Sequence, residues 1–132
     1  MKRTQASKKE AFLYFPQINQ KVIIPTNSSI FHFGRNTILP LVNPNEFDIE
    51  WLNSISRIRK QNQQILKDHF KIIRDKGAFF IEDTQSRWGT WLNRQQIKGK
   101  GMVRLKNGDK IELMLSKPSI KNVFPFVIKF VC

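Results

Sequence analysis

The amino-acid sequence predicts an all-β protein, built as a sandwich or a barrel of short strands. The chain is a series of short apolar runs separated by turn residues, with no internal repeat. Asn107-Gly108, a dipeptide typical of tight turns, stands between two such runs. Only 40% of the residues are hydrophobic, but 11 of them are phenylalanines, which bury a large area each and can fill a core.

The N-terminal half predicts four strands. Phe12 and Tyr14 mark the first strand, residues 21–24 the second, and residues 30–33 the third. Between residues 47 and 51, apolar side chains alternate with two acids, a pattern typical of a half-buried strand.

The C-terminal half predicts a hairpin over residues 69–83, with its turn at residues 75–77. Residues 102–105 and 110–113 flank the Asn107-Gly108 turn. The last strand carries apolar side chains on one face, and Pro125 within it indicates an edge strand or a bulge.

One segment departs from the strand pattern. Residues 54–66 combine apolar residues at loosely helical spacing with many basic and amide side chains, and Ser54 is a suitable helix cap. We expect either a short helix or an extended basic loop there, inserted before the central hairpin.

The length of 132 residues suits one compact domain. Residues 1–10 are polar and basic and predict a loose arm, so we assign the domain to residues 11–132. The formal net charge of +13 favours anionic partners such as phosphopeptides, nucleic acid or acidic membranes. Because the basic residues are spread along the chain, a general surface bias explains the charge equally well.

The sequence predicts a binding protein rather than an enzyme. Neither His32 nor His69 has a recognisable catalytic partner, and no metal-ligand spacing or phosphate-binding glycine loop is present, so we expect no metal and no cofactor. Cys132 is the only cysteine, which suggests a reducing compartment, the nucleus or the cytoplasm. No apolar run is long enough to span a membrane, and we expect no membrane partner.

Four sequence motifs in order resemble the forkhead-associated (FHA) domain, a module that recognises phosphothreonine. Together they extend from a Gly-Arg pair to an Asn-Gly-Asp turn. They are Phe33-Gly34-Arg35-Asn36, Asp68-His69-Phe70-Lys71-Ile72, the stretch from Ile81 to Asn93 with its Ser86-Arg87-Trp88-Gly89-Thr90 core, and Leu105 to Ile111.

The resemblance implies a β-sandwich of about eleven strands with binding loops at one apex. It implies that Arg35 contacts the phosphate, a role that suits a planar guanidinium with several donors and a permanent charge. It implies that His69 braces the loops. Structural support is implied for four further positions, which are Gly34, Gly89, Thr90 and Asn93.

Two positions depart from the family pattern. Leu66 stands where the family has a serine that bonds the phosphate, and Lys67 after it could supply an ammonium instead. Trp88 stands where the family has an asparagine that grips the peptide, and an indole has one donor and no acceptor. Arg87, where the family often has a hydroxyl residue, is a candidate replacement anion ligand.

Three functions follow from this pattern. The first is a signalling module that binds a phosphothreonine-containing partner through its apical loops. The second is a degenerate FHA fold that assembles proteins without phosphate, with Trp88 as an exposed anchor. The third is a nucleic-acid-binding accessory domain that uses the arm and the basic residues 57–67, with affinity that falls steeply with salt.

Overall fold

The protein is an all-β sandwich in a computed structural model, which describes residues 10–41, 59–61, 64–66, 69–84, 86, 89–113 and 125–132. Two antiparallel sheets contain ten strands in this part of the chain, against the eleven or so that we expected. Two further strands form a separate pair. The strands are β1 Ala11–Phe15, β2 Gln20–Ile24, β3 Ile30–Phe33, β4 Arg59–Gln61, β5 Gln64–Leu66, β6 Phe70–Asp75, β7 Ala78–Asp83, β8 Thr90–Leu92, β9 Gln95–Gln96, β10 Val103–Leu105, β11 Lys110–Leu113 and β12 Phe126–Val131.

The six-stranded sheet has the order β2-β1-β12-β11-β8-β9, and the four-stranded sheet has the order β10-β7-β6-β3. Alternate residues of β1, β6, β7, β11 and β12 are buried in one shared core, as period-2 patterning requires. Phenylalanines dominate that core. Phe33 stacks on Phe70 with ring centroids 4.6 Å apart, and Phe15 stacks on Phe126 at 5.7 Å.

A single turn of helix, α1 (Arg35–Ile38), follows β3 and continues into a 3-10 turn, Leu39–Leu41. The side chain of Ile38 is buried in the core. The chain direction therefore changes immediately after Gly34, at one end of the sandwich.

The predicted hairpin is confirmed as β6 and β7, which pair from Phe70 with Asp83 to Asp75 with Ala78. Phe126, Ile128 and Phe130 share one buried face, as their alternation predicted. The edge position predicted for this strand is wrong, because β12 lies between β1 and β11. Pro125 precedes the strand and so removes no hydrogen bond from its middle.

The predicted turn at Asn107-Gly108 is present, and it connects the two sheets, because β10 belongs to the four-stranded sheet and β11 to the six-stranded one. One further expectation is corrected. In the segment 54–66, the described residues form neither a helix nor a plain loop, but the antiparallel pair β4 and β5. The strand predicted over residues 47–51 and the arm up to residue 9 lie outside the described residues.

Candidate functional site

His69 joins three segments at one end of the sandwich. Its backbone N–H donates to the carbonyl of Phe33 at 2.6 Å, and its own carbonyl accepts from the N–H of Thr84 at 3.0 Å. Its Nε2 lies 3.2 Å from the carbonyl oxygen of Gly89. Because a carbonyl can only accept, Nε2 carries the proton of this bond. We call this end, where β3 ends, β6 begins and the β7–β8 loop lies, the apex.

Gly34 and Thr37 fix the chain where it leaves β3. The N–H of Gly34 donates to the hydroxyl oxygen of Thr37 at 3.0 Å, and the N–H of Thr37 donates to the carbonyl of Gly34 at 2.9 Å. This reciprocal pair is a capping arrangement that satisfies backbone groups at a helix start. The backbone of Arg35 begins α1 directly beside it.

A buried carboxylate organises the β7–β8 loop. Asp83 accepts hydrogen bonds from the backbone N–H of Ser86 at 2.8 Å, from the Ser86 hydroxyl at 2.5 Å and from the Thr90 hydroxyl at 2.6 Å. The Ser86 oxygen in turn accepts from the N–H of Gly89 at 3.0 Å. Asp83 is only 8% exposed, and both hydroxyl residues are buried deeper. Bonds to a charged group in such a site hold both ends of the loop in place.

Gly89 occupies a position where a side chain does not fit. Its φ is +104°, and a Cβ there would lie 2.5 Å from Nε2 of Gln96 and 2.9 Å from Cζ3 of Trp91. The side-chain oxygen of Gln96 accepts from the N–H of Thr90 at 3.2 Å and from the N–H of Lys98 at 3.1 Å. Strand β9 thus supports the apex from the side.

Asn93 supports a different part of the sandwich, at the other end of β8. Its amide nitrogen donates to a carboxylate oxygen of Asp109 at 2.9 Å, and its amide oxygen accepts from the N–H of Lys110 at 2.9 Å. Its φ of 48° is one that asparagine tolerates better than most residues. These bonds tie the β8–β9 turn to the turn before β11.

The structure thus unites Gly34, His69, Gly89 and Thr90 at the apex, and places Asn93 away from it. For the residues predicted to touch the ligand, it describes only the backbone of Arg35, at the start of α1, and of Leu66, at the end of β5. Three others, Lys67, Arg87 and Trp88, lie outside the described residues.

Our reading of the sequence missed three residues that shape the apex, Asp83, Ser86 and Gln96. The spacing of Asp83 and Ser86 carried a usable signal, since an aspartate often accepts from backbone groups two or three residues ahead. The sequence around Gln96 gave no such signal, because the contacts of Gln96 depend on the pairing of β8 with β9.

Among the described residues, no group of histidine, cysteine or acidic side chains is arranged to hold a metal ion. No helix in the same part of the chain has the length and apolar character needed to cross a membrane.

The chain matches the family model of the FHA domain over residues 31–114, more than half of its length. No curated protein is significantly similar to it in sequence. Among solved structures, it is similar to the FHA domain of an Arabidopsis thaliana hypothetical protein, with 23% identity, a TM-score of 0.60, and coverage of 99% of this chain and 92% of that one.

Two yeast proteins have similar folds. The N-terminal FHA domain of S. cerevisiae Rad53p, solved in complex with a phosphothreonine peptide, is 17% identical with a TM-score of 0.55, covering 92% of this chain and 91% of that one. The yeast Pml1 splicing factor is 19% identical with a TM-score of 0.53, covering 96% and 83%. The match to the family model, supported by this shared fold, shows that the chain belongs to the FHA domain family.

Proposed function

We propose that this protein binds a phosphothreonine-containing segment of a partner protein through the loops of its apex. One observation supports this most directly. His69 bonds to the carbonyl of Phe33 on one side and to the carbonyl of Gly89 on the other. These two anchors, Phe33 and Gly89, stand within two residues of Arg35 and Arg87 in the sequence.

Arg35 is the proposed primary phosphate ligand. Its guanidinium can donate two parallel hydrogen bonds to phosphate oxygens, and it keeps its charge at any physiological pH. Hydrogen bonds to a charged group contribute about 1.5–3 kcal/mol each, so loss of Arg35 and its two bonds should weaken binding by about a hundredfold or more.

Arg87 and Lys67 are proposed as further anion ligands, in place of the hydroxyl and amide groups of the family pattern. Leu66 has no donor for the phosphate, and Trp88 has no acceptor for the peptide backbone. We therefore propose that binding depends more on cationic side chains than on neutral hydrogen bonds. Affinity should then fall with ionic strength, since exposed charges are screened.

The first test is a titration with a degenerate phosphothreonine peptide library and its unphosphorylated twin, at moderate salt. The proteins compared are wild type, Arg35→Ala, and Arg104→Ala as a matched control, since Arg104 is an exposed arginine in β10. Binding that needs both the phosphate and Arg35, and is unchanged in the control, supports the proposal.

A protein that binds both libraries equally would overturn it. Such a result would favour the second candidate, a phosphate-independent assembly module, and Trp88→Ala would be the next variant. FHA domains act as interaction modules, and both candidates are of that class.

A further inference from the structure

A line of lysines crosses the outer face of the six-stranded sheet. Tyr14 of β1 lies opposite Lys21 of β2 and Lys129 of β12, and Lys129 lies opposite Lys110 of β11. In the same strands, the neighbouring side chains of Leu13, Phe15, Ile111, Ile128 and Phe130 are buried and Val22 packs against the core, so this row points outward. We call Lys21, Lys129 and Lys110, with Tyr14 between them, the lysine row.

The row contains a like-charge pair. Lys110 and Lys129 are direct cross-strand partners, an arrangement that destabilises an antiparallel sheet when nothing neutralises it. Glu112 lies 3.9 Å from the Lys110 ammonium and offsets part of the charge, one carboxylate against three lysines. An anionic ligand over the row would relieve this repulsion, so the face is complementary to negative charge.

Apolar side chains border the lysine row on both sides. On one side, Phe12 lies opposite Ile23 and Val131, and Ile23 is 65% exposed. On the other side, Val127 and Trp91 each lie opposite Glu112. A ligand that matches this face therefore combines negative charge with apolar groups.

These borders fit a protein better than a nucleic acid. Single-stranded nucleic acid binds on aromatic rings that are open to base stacking. The ammonium of Lys21 already lies 4.9 Å from the centre of the Phe12 ring, and the Tyr14 hydroxyl donates to the side chain of Asn19 at 2.9 Å. Isoleucine and valine side chains instead pack against other aliphatic side chains.

We propose that the lysine row and its apolar borders form a second docking surface, which binds an acidic protein segment carrying aliphatic side chains. The lysine row lies on the strand faces of the sheet, whereas Gly34, His69 and Gly89 meet at the apex; among the borders, the Trp91 ring lies near Gly89, so the test uses variants of the lysines. The two surfaces can therefore be tested separately.

The probe is an unphosphorylated synthetic peptide of alternating glutamate and valine, titrated at physiological ionic strength. The site variant is Lys21→Gln/Lys129→Gln. The control is Lys76→Gln/Arg104→Gln, which removes the same charge from exposed residues of the four-stranded sheet and its hairpin turn. We expect the site variant to bind about tenfold more weakly, the loss of two surface ion pairs, and the control to bind like wild type.

Lys129→Gln alone should raise the melting temperature of the free protein, because it removes the repulsion with Lys110. An equal loss of acidic-peptide affinity in the site variant and the control would overturn the proposal, because general charge attraction would then explain the binding. Tighter binding of a single-stranded oligothymidylate to the same row would also overturn it. Arg35→Ala should bind the acidic peptide like wild type and lose affinity for the phosphopeptide. The two titrations therefore distinguish a failure of this proposal from a failure of the proposed function.

Discussion

The imidazole Nε2 of His69 lies 3.2 Å from the carbonyl oxygen of Gly89, although the two residues are 20 positions apart and belong to different loops. His69 is only 2% exposed, so water competes little for this bond. Because the backbone of His69 also bonds to Phe33, the imidazole couples the position of the β7–β8 loop to the end of β3. The imidazole therefore fixes the β7–β8 loop relative to the end of β3.

His69→Ala should lower both stability and phosphopeptide affinity. The substitution leaves the Gly89 carbonyl without its buried donor, at a cost of about 1–3 kcal/mol in the free energy of unfolding. Urea unfolding and phosphopeptide titration measure the two effects. His69→Gln, which keeps a side-chain N–H, should recover part of each, and His32→Ala on an exposed position of β3 is the control. Unchanged affinity in a folded His69→Ala protein would show that the imidazole does not position the loop.

Gly89→Ala should destabilise the protein far more than Gly77→Ala. Both glycines have positive φ, +104° and +79°, so both substitutions carry a backbone cost of about 1 kcal/mol. Only at Gly89 would the new Cβ also meet Gln96 and the Trp91 ring within 3 Å, whereas nothing lies within 4 Å at Gly77. We expect a further cost of about 1–3 kcal/mol at Gly89, measured by urea unfolding. Equal losses in the two variants would mean that the contacts yield without strain.

The Thr90 hydroxyl and the Asp83 carboxylate should be energetically coupled. Thr90→Val removes the 2.6 Å bond and keeps the side-chain shape, and Asp83→Asn removes the charge that strengthens it. A double-mutant cycle on the free energy of unfolding should give a coupling of about 1–3 kcal/mol. Thr26→Val, at an exposed turn residue, is the control. A coupling energy near zero would show that the bond between the Thr90 hydroxyl and the Asp83 carboxylate does not contribute to stability.

Gln96→Ala should weaken phosphopeptide binding, whereas Gln96→Glu should not. The side-chain oxygen of Gln96 accepts the N–H of Thr90 and that of Lys98, and a glutamate offers the same acceptor. For the alanine variant, we expect the free energy of unfolding to fall by about 1 kcal/mol. We also expect its phosphopeptide affinity to fall, because the loop that carries Thr90 loses an anchor. Gln95→Ala, on the neighbouring exposed residue, should behave like wild type. If the glutamate variant is as weak as the alanine one, the amide group rather than its oxygen is required.

The local elements were predictable because burial imposes a period of two on a strand. The alternation in Ala78–Asp83 and the turn at residues 75–77 specify a hairpin without knowledge of any distant residue. The arrangement of the strands was not predictable in this way. Nothing in the local pattern of Phe126–Val131 indicates that it pairs with Phe12 and Leu13, more than 100 residues earlier. The Asn107-Gly108 dipeptide likewise specified a turn, but not the two sheets that the turn connects.

At the apex, too, some residues could be predicted from the sequence and others depend on how the strands pair. Gly34, His69, Gly89 and Thr90 were identified from the family motifs. The structure shows a constraint on the residue type at three of them, a buried bond at His69 and at Thr90 and a positive φ at Gly89. Gln96 supports the same loop through the pairing of Trp91 with Gln96, which only the folded sheet establishes. The segment 54–66 shows the limit of periodicity, because three-residue strands such as β4 and β5 are too short to display one.

The position of β12 between β1 and β11 also determines when the domain can assemble during synthesis. The ribosome makes β1 first and β12 last among the described strands, yet each of the two is the other's neighbour. Until β12 emerges, β1 and β11 present unpaired backbone edges, and their long-range contacts cannot begin to repay the entropy of closing the chain. The sandwich should therefore close only after translation has passed residue 131, and a nascent chain stalled before residue 126 should remain open to chaperones and proteases.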